Sequence, residues 1–589
     1  MSVSPLFMRH VLALAITLSL VSCHSENSDS TLAVIPSAEP VYRGPETVTE
    51  LNSSITNAGT GNQPQAQVKQ AQTPVATLVN PQPIAAMDAG HLMPAGSRVR
   101  GWQEYSHPAE QQSAMHEVYA DLNDNAVHSV LADPVSTFSI DVDTGAYSNV
   151  RRFLNQGQLP PPDAVRAEEL INYFSYNYPA NTGDTPFSAY TEIAASPWNS
   201  GKHLLQIGIQ AQQPGASAEQ PDCNLVFLVD VSGSMQSPDK LDLLVSSLKL
   251  LTRQLDETDS IAIVVYAGAS GVALDATSGK DKRAIMAALD QLQAGGSTNG
   301  AAGIMQAYAI AEQHFIASGI NRVLLATDGD FNVGLTDFQS LVALIEDKRK
   351  SGISLTTLGF GSGNYNDQLM EQLADAGNGN YAYIDTLNEA RKVLVDELSA
   401  TLQTVASDVK IQIEFNPAVV SEYRLVGYEN RVLATEDFNN DKVDAGEIGA
   451  GHSVTALYEI TLRNSAAGSI DPLRYQQDAA PVLQAPALDA EVAFLKLRYK
   501  PPGSDSSVLL QKAIAVSTIK SDLQDASDDY RFAAAVAGFS QLLRHNKAMG
   551  EVDFQSVLAL AGQARGDDIF GYRSEFLNLV KTAQALAQN

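Results

Sequence analysis

The hydrophobic and polar positions change rhythm several times along the chain. Residues 225–229, Leu-Val-Phe-Leu-Val, form a continuous apolar run, the mark of a strand buried on both faces. After it, Leu241, Leu244, Val245, Leu248, Leu251 and Leu255 recur with a 3.6-residue period, which predicts a helix with one buried stripe. The alternation continues, with strands predicted at 261–266, 322–327, 354–360 and 381–384 and helices at 282–292, 300–317, 338–350, 366–376 and 387–405. Strict alternation with apolar strands predicts an α/β fold, a doubly wound parallel sheet with flanking helices. Its ligand site is expected at the carboxyl ends of the strands.

On either side the rhythm differs. A short strand at 137–140, helices at 146–154 and 164–173, and β-like runs at 187–194 and 203–211 precede the α/β segment. Tyr173, Phe174, Tyr176 and Tyr178 read as core. Strands are predicted after it at 409–415, 423–428, 453–462 and 492–499, and helices dominate from 506 onward. One of these, at 530–544, places Phe532, Val536, Phe539 and Leu543 on one stripe. Neither flank has an obvious second sheet to pack against. The expectation is therefore a segment of helix and strand at 116–221, an α/β domain at 222–407 inserted in a β-rich domain in which 408–504 pairs with 187–211, and a helical C-terminal domain at 505–589. Asp141-Val142-Asp143-Thr144 resembles the nucleophile loop of aspartate-dependent phosphatases, but Gly145 stands where that motif wants Thr or Val. A polar turn capping the next helix is the expected reading.

At the start of the chain Arg9 and His10 precede the apolar residues 11–21, and the sequence turns polar after Ser22-Cys23. This pattern predicts a secretory signal over 1–22, too short for a comfortable membrane span. Leu20-Val21-Ser22-Cys23 resembles the bacterial lipobox, which implies that Cys23 becomes the lipidated N-terminus. Several acyl chains on one residue suffice for stable anchoring. His24, in place of the aspartate of the inner-membrane retention signal, points to the outer membrane of a Gram-negative cell, facing the periplasm. Residues 23–115, rich in Gln, Pro, Ala, Ser and Thr, read as a disordered tether with a typical reach of about 50 Å.

Composition narrows the partners. With 38 Lys and Arg against 67 Asp and Glu, the 589-residue chain has a net charge of −29, which makes nucleic acid an unsuitable partner. The length predicts several domains. Two cysteines exclude a disulfide scaffold and a Cys-based zinc site, and Cys223, just before an apolar strand, reads as a small buried residue.

Three loops at the predicted sheet edge carry oxygen donors. They are Asp230-x-Ser232-x-Ser234, Gly295-Gly296-Ser297-Thr298-Asn299 and Thr327-Asp328-Gly329-Asp330. None offers His or Cys, so a hard cation, Mg²⁺ or Mn²⁺, is selected over zinc. Asp330 reads as a turn residue outside the set. D-x-S-x-S, Gly-Gly-Ser-Thr and T-D-G in this order resemble the metal-ion-dependent adhesion site of von Willebrand factor A domains, over about 222–407. The resemblance implies that Ser232, Ser234 and often Thr298 bind the metal directly. It also implies that Asp230 and Asp328 act through water and that a partner's Asp or Glu completes the coordination. With S-T-F-S-I-D-V-D-T and N-V-R-R-F-L-N the chain is further similar to the bacterial YfbK-like lipoproteins.

A second loop, Asp437-x-Asn439-x-Asp441, resembles the start of a calcium loop, although Lys442 and Ile448 stand where an EF-hand wants Gly and Glu. An acidic hairpin loop is the other reading. Hydrolysis would need a base beside the metal-bound water, and none of the ten histidines lies in the three loops. Ser237-Pro238-Asp239-Lys240 fits S-x-x-K without an accompanying K-T-G or S-D-N. The expected function is therefore a membrane-anchored envelope protein that binds a carboxylate-bearing protein partner, with a metal-assisted hydrolase as the alternative.

Overall fold

The computed structural model describes residues 117–180, 183, 185–213, 221–329, 338–471, 490–550 and 552–588, with the backbone of Ala33–Ile35. The expected signal peptide, Cys23, almost all of the tether and Asp330 lie outside the described residues.

The central sheet has six strands in the order Tyr381–Ile384, Ser354–Phe360, Ile320–Thr327, Cys223–Asp230, Ser260–Tyr266 and Ser270–Ser278. The first five are parallel. Every residue of Cys223–Asp230 is buried, because helices cover both faces. Leu225, Phe227 and Val229 pack on one side with Leu244, Leu248 and Leu251 of Leu243–Gln254. Val226 and Leu228 pack on the other with Ile304, Ala307 and Tyr308 of Gly300–Gln313. The chain runs from Cys223–Asp230 to one neighbour and later returns to the other. The crevice beyond Asp230 and Thr327 is thus the topological switch point.

Two local expectations are corrected. The sheet ends in an antiparallel edge strand, Ser270–Ser278, absent from the sequence reading. Every residue of that strand is exposed or half-buried, so it lacks the continuous apolar run of a buried strand. The helix expected over 387–405 is broken into Leu387–Arg391, a π-turn at Lys392–Asp396 and Leu398–Leu402, before a strand begins at Thr404.

Two further sheets form a sandwich. One contains Val508–Ala515, Glu491–Lys500, Thr404–Phe415 and Gly446–Gly449, with Ala33–Ile35 at its edge and Val135–Ser139 also paired to Thr404–Phe415. The other contains Ile519–Lys520, Phe187–Ala195, His203–Ala211, Ser453–Leu462, Val420–Val426 and His128–Ser129. Phe138, Ile411, Phe415 and Leu497 of the first share a core with Leu205, Ile207, Tyr458 and Ile460 of the second. His203–Ala211 runs antiparallel to Ser453–Leu462, so strands from before and after the α/β domain lie in one sheet.

The expected outer boundaries shift. Strand structure continues past 504, since Val508–Ala515 pairs with Glu491–Lys500. The helices Asp528–Leu543, Phe554–Gln563 and Tyr572–Ala587 share one core with Gly145–Asn155 and Ala167–Asn172, so 505–589 does not stand as a separate domain. Aromatic edges join them: Phe174 meets Phe532 at 4.9 Å and Phe576 at 5.7 Å between ring centroids. Cys223 is buried, and burial with the nearby Asp259 carboxylate pushes its thiol up to about 12.

Candidate metal site

The strand Cys223–Asp230 delivers Asp230 to the sheet edge with no solvent exposure. Its Oδ1 accepts the Ser232 backbone N–H at 2.8 Å, and its Oδ2 accepts the Thr327 hydroxyl at 2.8 Å. Both oxygens are therefore committed to holding the first and third loops together. Burial pushes this carboxyl above its ordinary range, opposed by the bonds from Ser232 and Thr327. The Ser232 and Ser234 hydroxyl oxygens lie 2.9 Å apart. The two hydroxyls are hydrogen-bonded to each other, and the same separation equals the edge of an octahedron with metal–oxygen bonds of about 2.0–2.1 Å, so the pair is compatible with Mg²⁺.

The second loop is stitched to the first by backbone. Gly233 N donates to Gly296 O at 3.0 Å, and Gly295 N donates to Val231 O at 2.8 Å. Gly296 has φ +89°, which favours glycine, and a Cβ on Gly233 would sit 3.3 Å from the Gly296 oxygen. Thr298, half-buried, follows two residues later, just before the helix Gly300–Gln313. Asp328, fully buried, leaves the strand Ile320–Thr327.

Sequence reasoning missed Asn364 and the role of Lys240 here. Lys240 Nζ donates to Asp328 Oδ2 and to Asn364 Oδ1, both at 2.8 Å, and the Asn364 amide reaches Asp328 Oδ2 at 3.3 Å. Lys240 is only 5% exposed, so its ammonium belongs to the site rather than to solvent. The S-x-x-K string flagged this lysine for the wrong chemistry; its partners come from loops far along the chain.

The loop around Asp437, Asn439 and Asp441 is not a calcium loop, and that expectation is corrected. Lys410 donates to the carbonyls of Asp437 at 3.2 Å and Asn440 at 2.6 Å. Asp441 Oδ1 accepts from Arg498 at 3.1 Å and from the Ser507 hydroxyl at 2.5 Å, while its carbonyl accepts from Lys500 at 2.9 Å. Asn439 is exposed. The loop folds over basic strands of the sandwich, which supply the positive charge a cation would bring.

The D-x-D-T turn is likewise corrected. Thr144 makes no capping bond; the helix start is capped by Glu169 Oε2, which accepts from Ala146 N at 2.7 Å. Asp143 Oδ1 accepts from Tyr381 N at 2.7 Å, and Asp141 pairs with Arg431 at 3.1 Å. Asp141, Glu169 and Glu371 bring carboxylate oxygens within 4.8 Å of one another, all buried. Arg166 and Arg431 thread this cluster: Arg166 pairs with Glu169 and Asp367, and Arg431 with Glu371 at 3.1 Å. Burial pushes the Glu169 carboxyl up to about 8 against the pull of Arg166. The cluster is a buried junction of three chain segments.

A parallel sheet carrying these loops at its switch point defines a von Willebrand factor type A domain, and that family's model matches residues 224–397. A second match, described as von Willebrand factor, covers 113–206, and one described as "Uncharacterized protein YfbK, C-terminal" covers 400–586. The chain is 49% identical over 475 residues to the "Uncharacterized protein YfbK" of Escherichia coli strain K12, spanning 80% of this chain and 81% of that protein. It belongs to the YfbK family. It is also 25% identical over 190 residues to protein sll0103 of Synechocystis, covering 32% of this chain and 43% of that one. Among solved structures it is similar to a von Willebrand factor type A protein from Catenulispora acidiphila, at 14% identity and TM-score 0.37 over 66% of this chain and 89% of that one. The ArnB paralog VWA2 from Sulfolobus acidocaldarius is similar at 14% identity and TM-score 0.33, over 68% of this chain and 98% of that one. Domains of the A type serve protein interaction or metal-dependent adhesion in general.

Proposed function

We propose that the protein is a lipid-anchored binding protein of the bacterial envelope whose A-type domain captures a protein partner through an Asp or Glu side chain. The supporting observation is the pair of Ser232 and Ser234 hydroxyls 2.9 Å apart, next to two fully buried carboxylates, Asp230 and Asp328. Ser232, Ser234 and Thr298 would hold Mg²⁺ or Mn²⁺, with Asp230 and Asp328 in or just outside the first coordination shell. When bound, the ion supplies an electrophilic position for one outside carboxylate. Asp230 fixes the turn that aims the two serines, because its oxygens tie Ser232 N and Thr327 Oγ1. The Gly295–Gly296 backbone holds the Thr298 loop against that turn. The tether and lipidated Cys23 would let the domain search near the membrane.

Isothermal titration with Mg²⁺ and Mn²⁺ tests the site. Asp230→Ala is expected to abolish measurable metal binding, while Thr298→Ala, which removes only a neutral ligand, weakens partner binding more than metal binding. Equal metal affinity in wild type and Asp230→Ala refutes the site. A Mg²⁺-dependent pulldown from envelope extract, repeated with Asp230→Ala, then identifies the partner.

A further inference from the structure

Resting on the metal-site reading, we infer that Lys240 is the residue that sets the charge of this site, giving up metal affinity to gain affinity for a carboxylate ligand. The lysine is built in. Its π-turn, Pro238–Asp242, directs it inward, and its stem runs against Gly361, where a Cβ would lie 2.3 Å from Lys240 Cγ. Gly361 also has φ +77°, so the loop that makes this room depends on glycine. At the far end the ammonium is shared between Asp328 and Asn364 at 2.8 Å each.

The consequence is a matter of charge. Asp230 and Asp328 alone would neutralise a divalent ion completely and leave only its open coordination position, with no net charge, to attract an anion. With the buried ammonium the same set carries one net negative charge before metal binds and one net positive charge afterwards. An incoming carboxylate then completes neutrality. This matters in a chain of net charge −29, whose general field repels acidic partners. The same ammonium repels the divalent ion at short range through a low-dielectric wall. In the metal-free chain it serves as the counter-cation of Asp328 and keeps the loops assembled.

Two variants separate charge from positioning. Lys240→Met keeps the length and removes the charge; Lys240→Gln removes the charge and keeps a hydrogen-bond donor toward Asp328. Mn²⁺ binding to the full chain is read by water-proton relaxation, and acetate is then titrated into the Mn²⁺-loaded protein as the carboxylate probe. Both variants are expected to bind Mn²⁺ at least about tenfold more tightly and acetate at least about tenfold more weakly than wild type. Lys249→Met, which removes a surface lysine paired with Asp290, is expected to leave both affinities within about twofold of wild type. Unchanged or weaker Mn²⁺ binding in both Lys240 variants overturns the inference, as does an equal effect of Lys249→Met. Absence of Mn²⁺ binding in all the proteins overturns the metal reading itself and the inference with it.

Discussion

Arg151→Met should break the junction between the N-terminal helices, the A-type domain and the C-terminal helix. The Arg151 side chain, 3% exposed, donates to Asp385 through Nε at 2.8 Å and to Glu389 at 2.7 Å. It also reaches the Tyr173 hydroxyl and Glu575, each at 3.0 Å. Asp385 and Glu389 are 4% and 0% exposed, so the substitution strands two carboxylates without their cation. Removing one partner of a buried pair costs about 3–5 kcal/mol. Glu575 is 40% exposed and adds little, because solvent screens it.

The pH dependence has a definite sign. Burial holds the Asp385 carboxyl above its ordinary range, and Arg151 pulls it back down. Without Arg151 it rises further. A carboxyl with a raised folded-state pKa stabilises below its unfolded value and loses that contribution as pH rises through the folded one. The deficit of Arg151→Met should therefore be larger at pH 8 than at pH 5. Guanidinium unfolding of the full chain, followed by circular dichroism at both pH values, measures it. Arg151→Met/Glu389→Gln should recover part of the loss, since it removes one stranded charge. A deficit below about 1 kcal/mol at pH 8, or a larger one at pH 5, refutes the reasoning.

Two other outcomes are expected. Glu169, pushed up to about 8, stabilises the fold at low pH and loses that contribution as pH rises from about 5 through 8, so Glu169→Gln should flatten the fall of Tm over that range; an unchanged slope excludes Glu169 as its source. Cys23→Ser should move the protein from the membrane fraction to the soluble periplasm, and unchanged membrane retention would rule out lipidation as the main anchor.

What the sequence made legible follows from where each signal is stored. The strand Cys223–Asp230 is legible because two covered faces demand eight buried residues in a row. Asp230, Ser232 and Ser234 are legible because one turn carries all three. Ser270–Ser278 is not, because an exposed edge strand needs no apolar run. Lys240 and Asp143 escape for another reason. Their partners Asp328 and Tyr381 are 88 and 238 residues away, so the local strings, S-x-x-K around Lys240 and a capping turn around Asp143, name the residues without their roles. The sandwich boundaries shifted because Val135–Ser139 and Val508–Ala515 gain their burial from strands that only the folded topology supplies.

The antiparallel pairing of His203–Ala211 with Ser453–Leu462 also sets an order of events in time. Gln210 bonds to Gly451, 241 residues onward, whereas the strands of the A-type domain find their neighbours within that intervening stretch. Contacts so distant in sequence form slowly, and local ones form first. As the chain emerges, the A-type domain can be complete while His203–Ala211 still waits, an open edge ready to join another molecule. The finished inner domain then brings the two halves of the outer one to the same place and shortens that wait.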